Sequence, residues 1–197
     1  ALSGVLRVSV PLSFGIAHMS TAMAQFMHTH PEIHIEMDLS DKRVDMIAEG
    51  FDVAIRIGNL TDSSLIAKKI SSVSVVPTAS PGLIAQWPQL KSPDDLVNMP
   101  ALAYGNDRSQ HDWSYTSPDG KSGSLHITPR MSANNGDVLR DLAIAGLGMV
   151  SLPTFLHYEA INKGLLKPLF PTYQWSGFDI FVVYPKTTIL PKRTRVF

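Results

Sequence analysis

Apolar and polar positions alternate most cleanly over Phe51–Ile57. Phe51, Val53, Ile55 and Ile57 fall on one side, and Asp52, Ala54 and Arg56 on the other. A two-residue period puts successive side chains on opposite faces of a strand. The same period runs through Ile33–Leu39, and Val5–Val10 is β-branched with a looser alternation. Between these two runs the period lengthens. Ile16, Met19, Met23, Phe26 and Met27 recur at helical spacing, His18, Thr21, Gln25 and His28 fall largely on the other face, and Pro31 stops the run. Pro11 closes the first strand, and Ser13, Phe14 and Gly15 are expected to form a turn. Arg43–Gly50 reads as a short helix with Gly50 as its stop. Strand, helix, strand, helix, strand predicts parallel pairing through right-handed crossovers.

After a polar loop over Gly58–Ser64 the pattern restarts. Leu65–Pro77 reads as a strand running into a crossover. Ser80 and Pro81 predict the N-cap and first position of a helix reaching about Trp87. Ser92-Pro93-Asp94-Asp95 is a second helix start with an acidic capping-box residue, and Pro100 ends that helix. Ala101–Tyr104 is a short strand, and Trp113–Ile127 holds two strand-like arms around the turn Ser117-Pro118-Asp119-Gly120. The densest stretch is Asn134–Pro153. Asn134, Asn135 and Gly136 make a turn and a helix start, with Asp137 complementing the helix dipole. Val138, Leu139, Leu142 and Ala143 form the expected buried stripe, and Gly146 and Gly148 end the helix. Met149, Val150 and Leu152 read as a buried strand. Pro153 then opens a helix that ends near Lys163-Gly164. Phe178–Tyr184 is a last core strand, expected to return to the first half, and Lys186–Phe197 starts a surface helix. The restart near Val76 predicts an α/β fold of two lobes, residues 1–74 with 175–197 and residues 75–174.

Composition narrows the function classes. The 197 residues are 44% hydrophobic, enough for a sizeable core. Seventeen basic and seventeen acidic side chains cancel, whereas a free-standing DNA-binding module is usually basic. No apolar run is long enough to span a bilayer and no secretory leader pattern opens the sequence, so neither a membrane partner nor export is expected. The chain holds no cysteine. That removes disulfides, zinc–thiolate sites and thiol nucleophiles, and fits cytoplasm and periplasm equally.

Ligands in open α/β sheets sit outside the carboxyl ends of the strands. That rule selects Ser13, Phe14 and Gly15 after the first strand, Arg56–Ser64 after the third, Tyr104–Asn106 in the second lobe, and Asn134–Asp137. The hydroxyls of Ser13, Thr61 and Ser64 and the amides of Asn134 and Asn135 suit a small polar or anionic ligand. Each residue also has a plainer role. Ser13 can cap a helix, and Phe14 can be a packed wedge. Arg56 can pair with Asp52 or another carboxylate. The two asparagines can serve turn geometry alone, and Thr61 and Ser64 can be ordinary loop residues.

Sharper chemistry finds less support. His28, His30 and His34 straddle a helix end, Pro31 and a strand, with no cysteine or dense carboxylate set to complete a metal site. Gly146-x-Gly148 follows a helix, where a dinucleotide fingerprint would follow a strand. No Gly-x-Ser-x-Gly elbow is present, and the aspartates form no evident acid–base pair. Neither cofactor, metal nor enzyme activity is expected. The Met19–Met27 face is core or subunit interface.

The run Asn134–Pro153, with its polar turn and "V..AGLG...LP" pattern, resembles the effector-binding domain of LysR-type transcriptional regulators. Leu6-Arg7-Val8-Ser9, Ser13-Phe14-Gly15, Phe26 with His30-Pro31-Glu32-Ile33, and Phe51–Gly58 are similar to the family's first lobe. Ala79-Ser80-Pro81 followed by Leu96 is similar to its second. The resemblance implies two Rossmann-like lobes of the periplasmic-binding-protein type (type II), with a small effector held in the cleft between them. It places effector contacts at the turns selected above: Ser13, Phe14, Gly15, Arg56, Thr61, Ser64, Tyr104, Asn134 and Asn135. It further implies a cytoplasmic homodimer in which the Ile16–His28 helix of one subunit lies near the helix after Asn134 of the other. The full-length protein would be a tetramer, with DNA bound only through a winged helix-turn-helix absent from this chain. The alternative is a monomeric periplasmic solute-binding protein of a transport system.

Overall fold

The computed structural model describes residues 3–42, 44–58, 60, 64–105, 111–186 and 190–197. Two units divide the chain: Ala1–Ser72 with Asp179–Phe197, and Val73–Phe178. Among the described residues no helix is long and apolar enough to cross a membrane.

The first unit is built on strands β1 (Gly4–Val10), β2 (Ile33–Leu39), β3 (Val53–Ile57), β4 (Leu65–Val73) and β13 (Phe178–Pro185), in the order β2-β1-β3-β13-β4. β1 runs parallel to β2 along its whole length and parallel to β3, as the crossover pattern predicts. The last strand returns to this sheet as expected and lies antiparallel to β3, with Ile180 opposite Ile57 and Val183 opposite Ala54. Leu6, Val8, Val10, Val53 and Ile55 are buried on it. Burying such a side chain contributes roughly 1.5–3 kcal/mol, so these strands anchor the unit.

Three local expectations change. The chain passes from β1 directly into α1 (Leu12–Phe14), five residues of π-helix (Gly15–Met19) and α2 (Ser20–Thr29). Ser13, Phe14 and Gly15 are therefore helical, not a turn. A methyl on Gly15 would lie 2.5 Å from Leu39 Cδ2, so glycine lets the helix lie close on the sheet. The wider π winding also splits the expected apolar face. Met19 is only 8% exposed, while Ile16 is 65% and Met27 52% exposed. Finally, the helix expected over Arg43–Gly50 is a single turn in its described part. Asp45 Oδ1 accepts from the Ile47 and Ala48 amides at 3.1 and 3.0 Å, a local bond that competes with a longer helix.

α6 (Lys192–Val196) packs on β1. Arg193 Nη2 lies 3.2 Å from Asp52 Oδ1, and Asp52 Oδ2 accepts from the Arg7 amide at 3.0 Å. Phe197 meets the Phe26 ring edge-on at 5.4 Å.

The second unit contains β5 (Val75–Ala79), α3 (Pro81–Ala85), β6 (Ala101–Tyr104), β7 (Asp112–Thr116), β8 (Ser122–His126), β9 (Met131–Ala133), α4 (Gly136–Ile144), β10 (Met149–Pro153), α5 (Thr154–Asn162), β11 (Lys167–Pro168) and β12 (Gln174–Trp175). Its main sheet has the order β11-β5-β10-β6-β9, and β12-β7-β8 form a second, three-stranded sheet. The predicted arms around Ser117–Gly120 are the β7–β8 hairpin. α3 is capped by Ser80, whose side chain accepts from the Leu83 amide, but it stops at Ala85, short of Trp87. The Ser92 start carries its capping box on a 3-10 helix, Pro93–Asn98. The Lys91 and Ser92 amides donate to Asp95 and hold its carboxyl below the usual carboxylate range.

α4 and α5 both end on a left-handed glycine. Gly146 (φ 79°) donates to Ala143 O while Leu147 donates to Leu142 O, and Gly164 (φ 71°) and Leu165 repeat the arrangement on Ile161 and Ala160. Pro153 closes β10 and flanks α5, which begins at Thr154. The α4 stripe is narrower than expected. Leu139 and Ala143 are fully buried, but Val138 is 47% exposed. Just before β13, Gly177 has no room for a side chain, because a methyl there would overlap the Val73 carbonyl oxygen.

Candidate functional site

In the first unit, parallel pairing brings the carboxyl ends of β1, β2 and β3 to one edge of the sheet. Ser9, at the end of β1, is fully buried, an unusual place for a hydroxyl unless it is bonded. Arg56 supplies the bond: Nη1 lies 3.3 Å and Nη2 3.4 Å from Ser9 Oγ, and Nη1 also donates to Ile55 O at 3.2 Å. Arg56 does not pair with Asp52. The two share a strand face but sit four residues apart, roughly 13 Å along a strand. Asp52 stands at the opposite edge and takes Arg193.

Ser13, Phe14 and Gly15 lie in the helix start that follows β1, on the same edge as Arg56. That helix start already has a carboxylate. Asp41, just past β2, accepts the Leu12 amide at 3.0 Å, and an anionic side chain there complements the helix dipole. Phe14 contacts the His18 ring at 4.9 Å, in keeping with a packing role.

Ser64 is placed elsewhere. Its carbonyl accepts from Lys186, just past the end of β13, whereas Gly58 donates to Asp179 near the start of β13. Gly58 and Ser64 therefore stand at opposite ends of β13. Ser64 sits at the amino-terminal edge of β3, away from Arg56 and Ser13. Thr61 and Asn106 lie outside the described residues.

In the second unit the same rule gathers a second edge. β6 and β9 are parallel, with Tyr104 opposite Ala133, and β10 is parallel to β6. Tyr104 is 37% exposed at the end of β6, and Gly105 donates to Ala133 O at 2.8 Å. Asn134 leaves β9 exposed to solvent, and Asn135 is the N-cap of α4, its Oδ1 accepting from the Asp137 and Val138 amides at 3.1 and 3.2 Å. Gly136 lets the helix start rest on α5, since a methyl there would lie 2.5 Å from Leu156 Cδ1.

Behind this edge is a polar network that the periodicity does not show. Arg140 Nη1 lies 2.7 Å from Asp137 Oδ1, its Nη2 lies 2.9 Å from Asp141, and Nη1 also donates to Leu156 O at 3.1 Å. The next residue, His157, is fully buried, with Nδ1 3.3 Å from Thr78 Oγ1. Burial first, and the nearby Arg140 cation second, push its pKa down from 6.5 to about 4. A histidine inside the apolar run Phe155-Leu156-His157 was the available signal. Ser9 gave a similar one, between Val8 and Val10. Among the described residues no group of three or more His, Asp or Glu is placed to hold a metal ion.

Each unit is thus an open α/β sheet with polar side chains gathered at the carboxyl ends of parallel strands, the architecture of a small-molecule-binding domain. Among solved structures, the regulatory domain of CrgA, a LysR-type transcriptional regulator from Neisseria meningitidis, matches with a TM-score of 0.80 at 28% identity, over 99% of this chain and 95% of that one. An HTH-type transcriptional regulator of Haemophilus influenzae is 37% identical over 97% of this chain and 66% of its own length. The regulator PtxR of Pseudomonas aeruginosa is 31% identical over 99% of this chain and 62% of its own. The family model for the LysR substrate binding domain matches residues 1–197, and this chain belongs to that family. The expected type II periplasmic-binding-like fold and the effector-binding regulatory class hold on these matches. These relatives are transcriptional regulators, not enzymes or transport proteins. The chain spans about two-thirds of their length.

Proposed function

We propose that this domain binds a small polar or anionic effector and passes the binding event to the rest of a DNA-binding regulator. The observation that supports this most is placement. Ser13–Gly15 and Arg56 share the carboxyl edge of one parallel set, and Tyr104, Asn134 and Asn135 share that of another. Arg56 offers a planar donor set suited to a carboxylate, and Ser13 and Asn134 offer neutral bonds. Thr61 belongs to the same proposed set on the family pattern. An effector can change the regulator only by binding one arrangement of it better than another. The protein acts in the cytoplasm as a homodimer, tetrameric at full length, through the helix spanning Ile16–His28 and the partner's α4. DNA is held by a winged helix-turn-helix outside this chain.

A thermal-shift screen of the chain against small mono- and dicarboxylates tests the effector assignment. At least one compound should raise the melting temperature of the parent chain, and Arg56→Gln should lose that shift while keeping its own fold. A carboxylate that stabilises parent and Arg56→Gln equally would remove Arg56 from the site.

A further inference from the structure

His157 is a titratable group walled off from water in a domain whose proposed function makes no use of it. Its surroundings select one neutral form. With the proton on Nδ1, the ring donates to Thr78 Oγ1 at 3.3 Å, and that hydroxyl donates onward to Val150 O at 3.5 Å. Every donor is then used, and only the Nε2 lone pair is left. Among the described residues Nε2 meets no hydrogen-bond partner. A second proton would have to sit there as a buried donor with no acceptor, a costly arrangement.

The groups facing the ring offer no relief. On β5 there is Thr78 and on β10 the Val150 carbonyl, both neutral. On α4 there is Arg140, a cation whose attendant carboxylates, Asp137 and Asp141, already bind its guanidinium. On α5 itself, Glu159 is exposed and paired with Lys163. Arg140 is also the tie between the helices, since it donates to the carbonyl of Leu156, the residue before His157. A charge on the imidazole would therefore arise next to the cation that fastens α4 to α5.

We propose that His157 is an acid-sensitive latch: proton uptake by its ring releases α4 from α5 and loosens the Asn135-capped start of α4. The release is local. It leaves the main sheet in place and opens the polar edge to which Tyr104 and Asn134 belong. Its effect on effector binding rests on the site proposed above, whereas the opening itself does not.

The sign follows from linkage. The ring titrates at the ordinary 6.5 once open and at about 4 when closed. Between these values opening takes up a proton, so the closed form is fully stable above about pH 6.5 and loses stability as pH falls towards 4. The opening constant should rise about sevenfold between pH 6 and pH 5.

Amide hydrogen exchange on this chain, corrected for the intrinsic rate at each pH, measures that constant. Protection of the α4 amides should fall about sevenfold from pH 6 to pH 5 while β6 and β10 hold theirs. His157→Asn keeps a polar atom for Thr78 and cannot titrate, so its α4 protection should be flat with pH. Flat protection in the parent, or the same slope in His157→Asn, overturns the latch. Direct titration of the parent's imidazole carbons by NMR covers the case in which that variant does not fold. The His157 signal should titrate well below 6.5 and move upward in Arg140→Gln; titration at the ordinary value, unmoved by Arg140→Gln, overturns the proposal. No effector enters these measurements, so a failed latch and a failed effector site give separate results.

Discussion

At Asn135 a single side-chain oxygen accepts two amides at the start of α4. Removing it in Asn135→Ala should cost about 1 kcal/mol, and Asn135→Ser should recover most of that, read as urea midpoints at constant slope. This cap was legible in the sequence, because the helix start there is a local matter: Asn, Gly and Asp in the right order. The partner of Arg56 was not. Alternation put Asp52 and Arg56 on one face, but it carries no information about which neighbouring strand supplies the nearest polar atom, and that atom is the Ser9 hydroxyl. Asp52 instead anchors Arg193, whose Nε is buried without a partner among the described residues. Asp52→Ala strands that cation and should destabilise the chain by roughly 1–3 kcal/mol, more than Arg193→Met, which removes the charge as well; paired urea titrations give both values.

Among the elements, strands were read better than helices. Phe51–Ile57 carries a period of two and Phe178–Tyr184 is almost entirely apolar, and both lie in the first sheet as expected. The Ile16–Met27 stripe assumed uniform winding. Five residues of π-helix break that assumption, and they begin at Gly15, which lies close on Leu39, a contact between distant parts of the sequence. The turn before Phe51 failed for a related reason, since Asp45 bonds locally and the segment is too short for helical bonds to accumulate. Gly177 also acts at this scale. The segment leading to β13 passes so close to Val73 that Gly177→Ala must displace backbone, not merely a side chain. The expected loss is about 1–3 kcal/mol by calorimetry or denaturant, whereas Gly82→Ala, inside α3 with no described atom within 4 Å, should gain about 0.4–1 kcal/mol.

For the molecule as a whole, the sequence motifs reached further than the periodicities. Two lobes, the return of the last strand and the family were all readable, whereas Ser64 was grouped with Arg56 although it lies at the other end of β13. The proposed subunit contact belongs to this scale. Ile16 and Met27 are more than half exposed, so Ile16→Glu with Met27→Glu should leave folding intact and convert a dimer to monomers in sedimentation velocity. A dimer that survives the double change would move the contact to another face. The order of strands in the first sheet carries a last consequence. β13 lies between β3 and β4, yet all of Ser74–Gly177 is translated before it. On the ribosome, β3 and β4 must therefore wait with a strand-wide gap between them while the second unit emerges and folds. Two unpaired edges stay open to any passing nascent strand for that interval. Slow or stalled synthesis should thus harm the first unit more than the second, and chaperone dependence should map to its open edges.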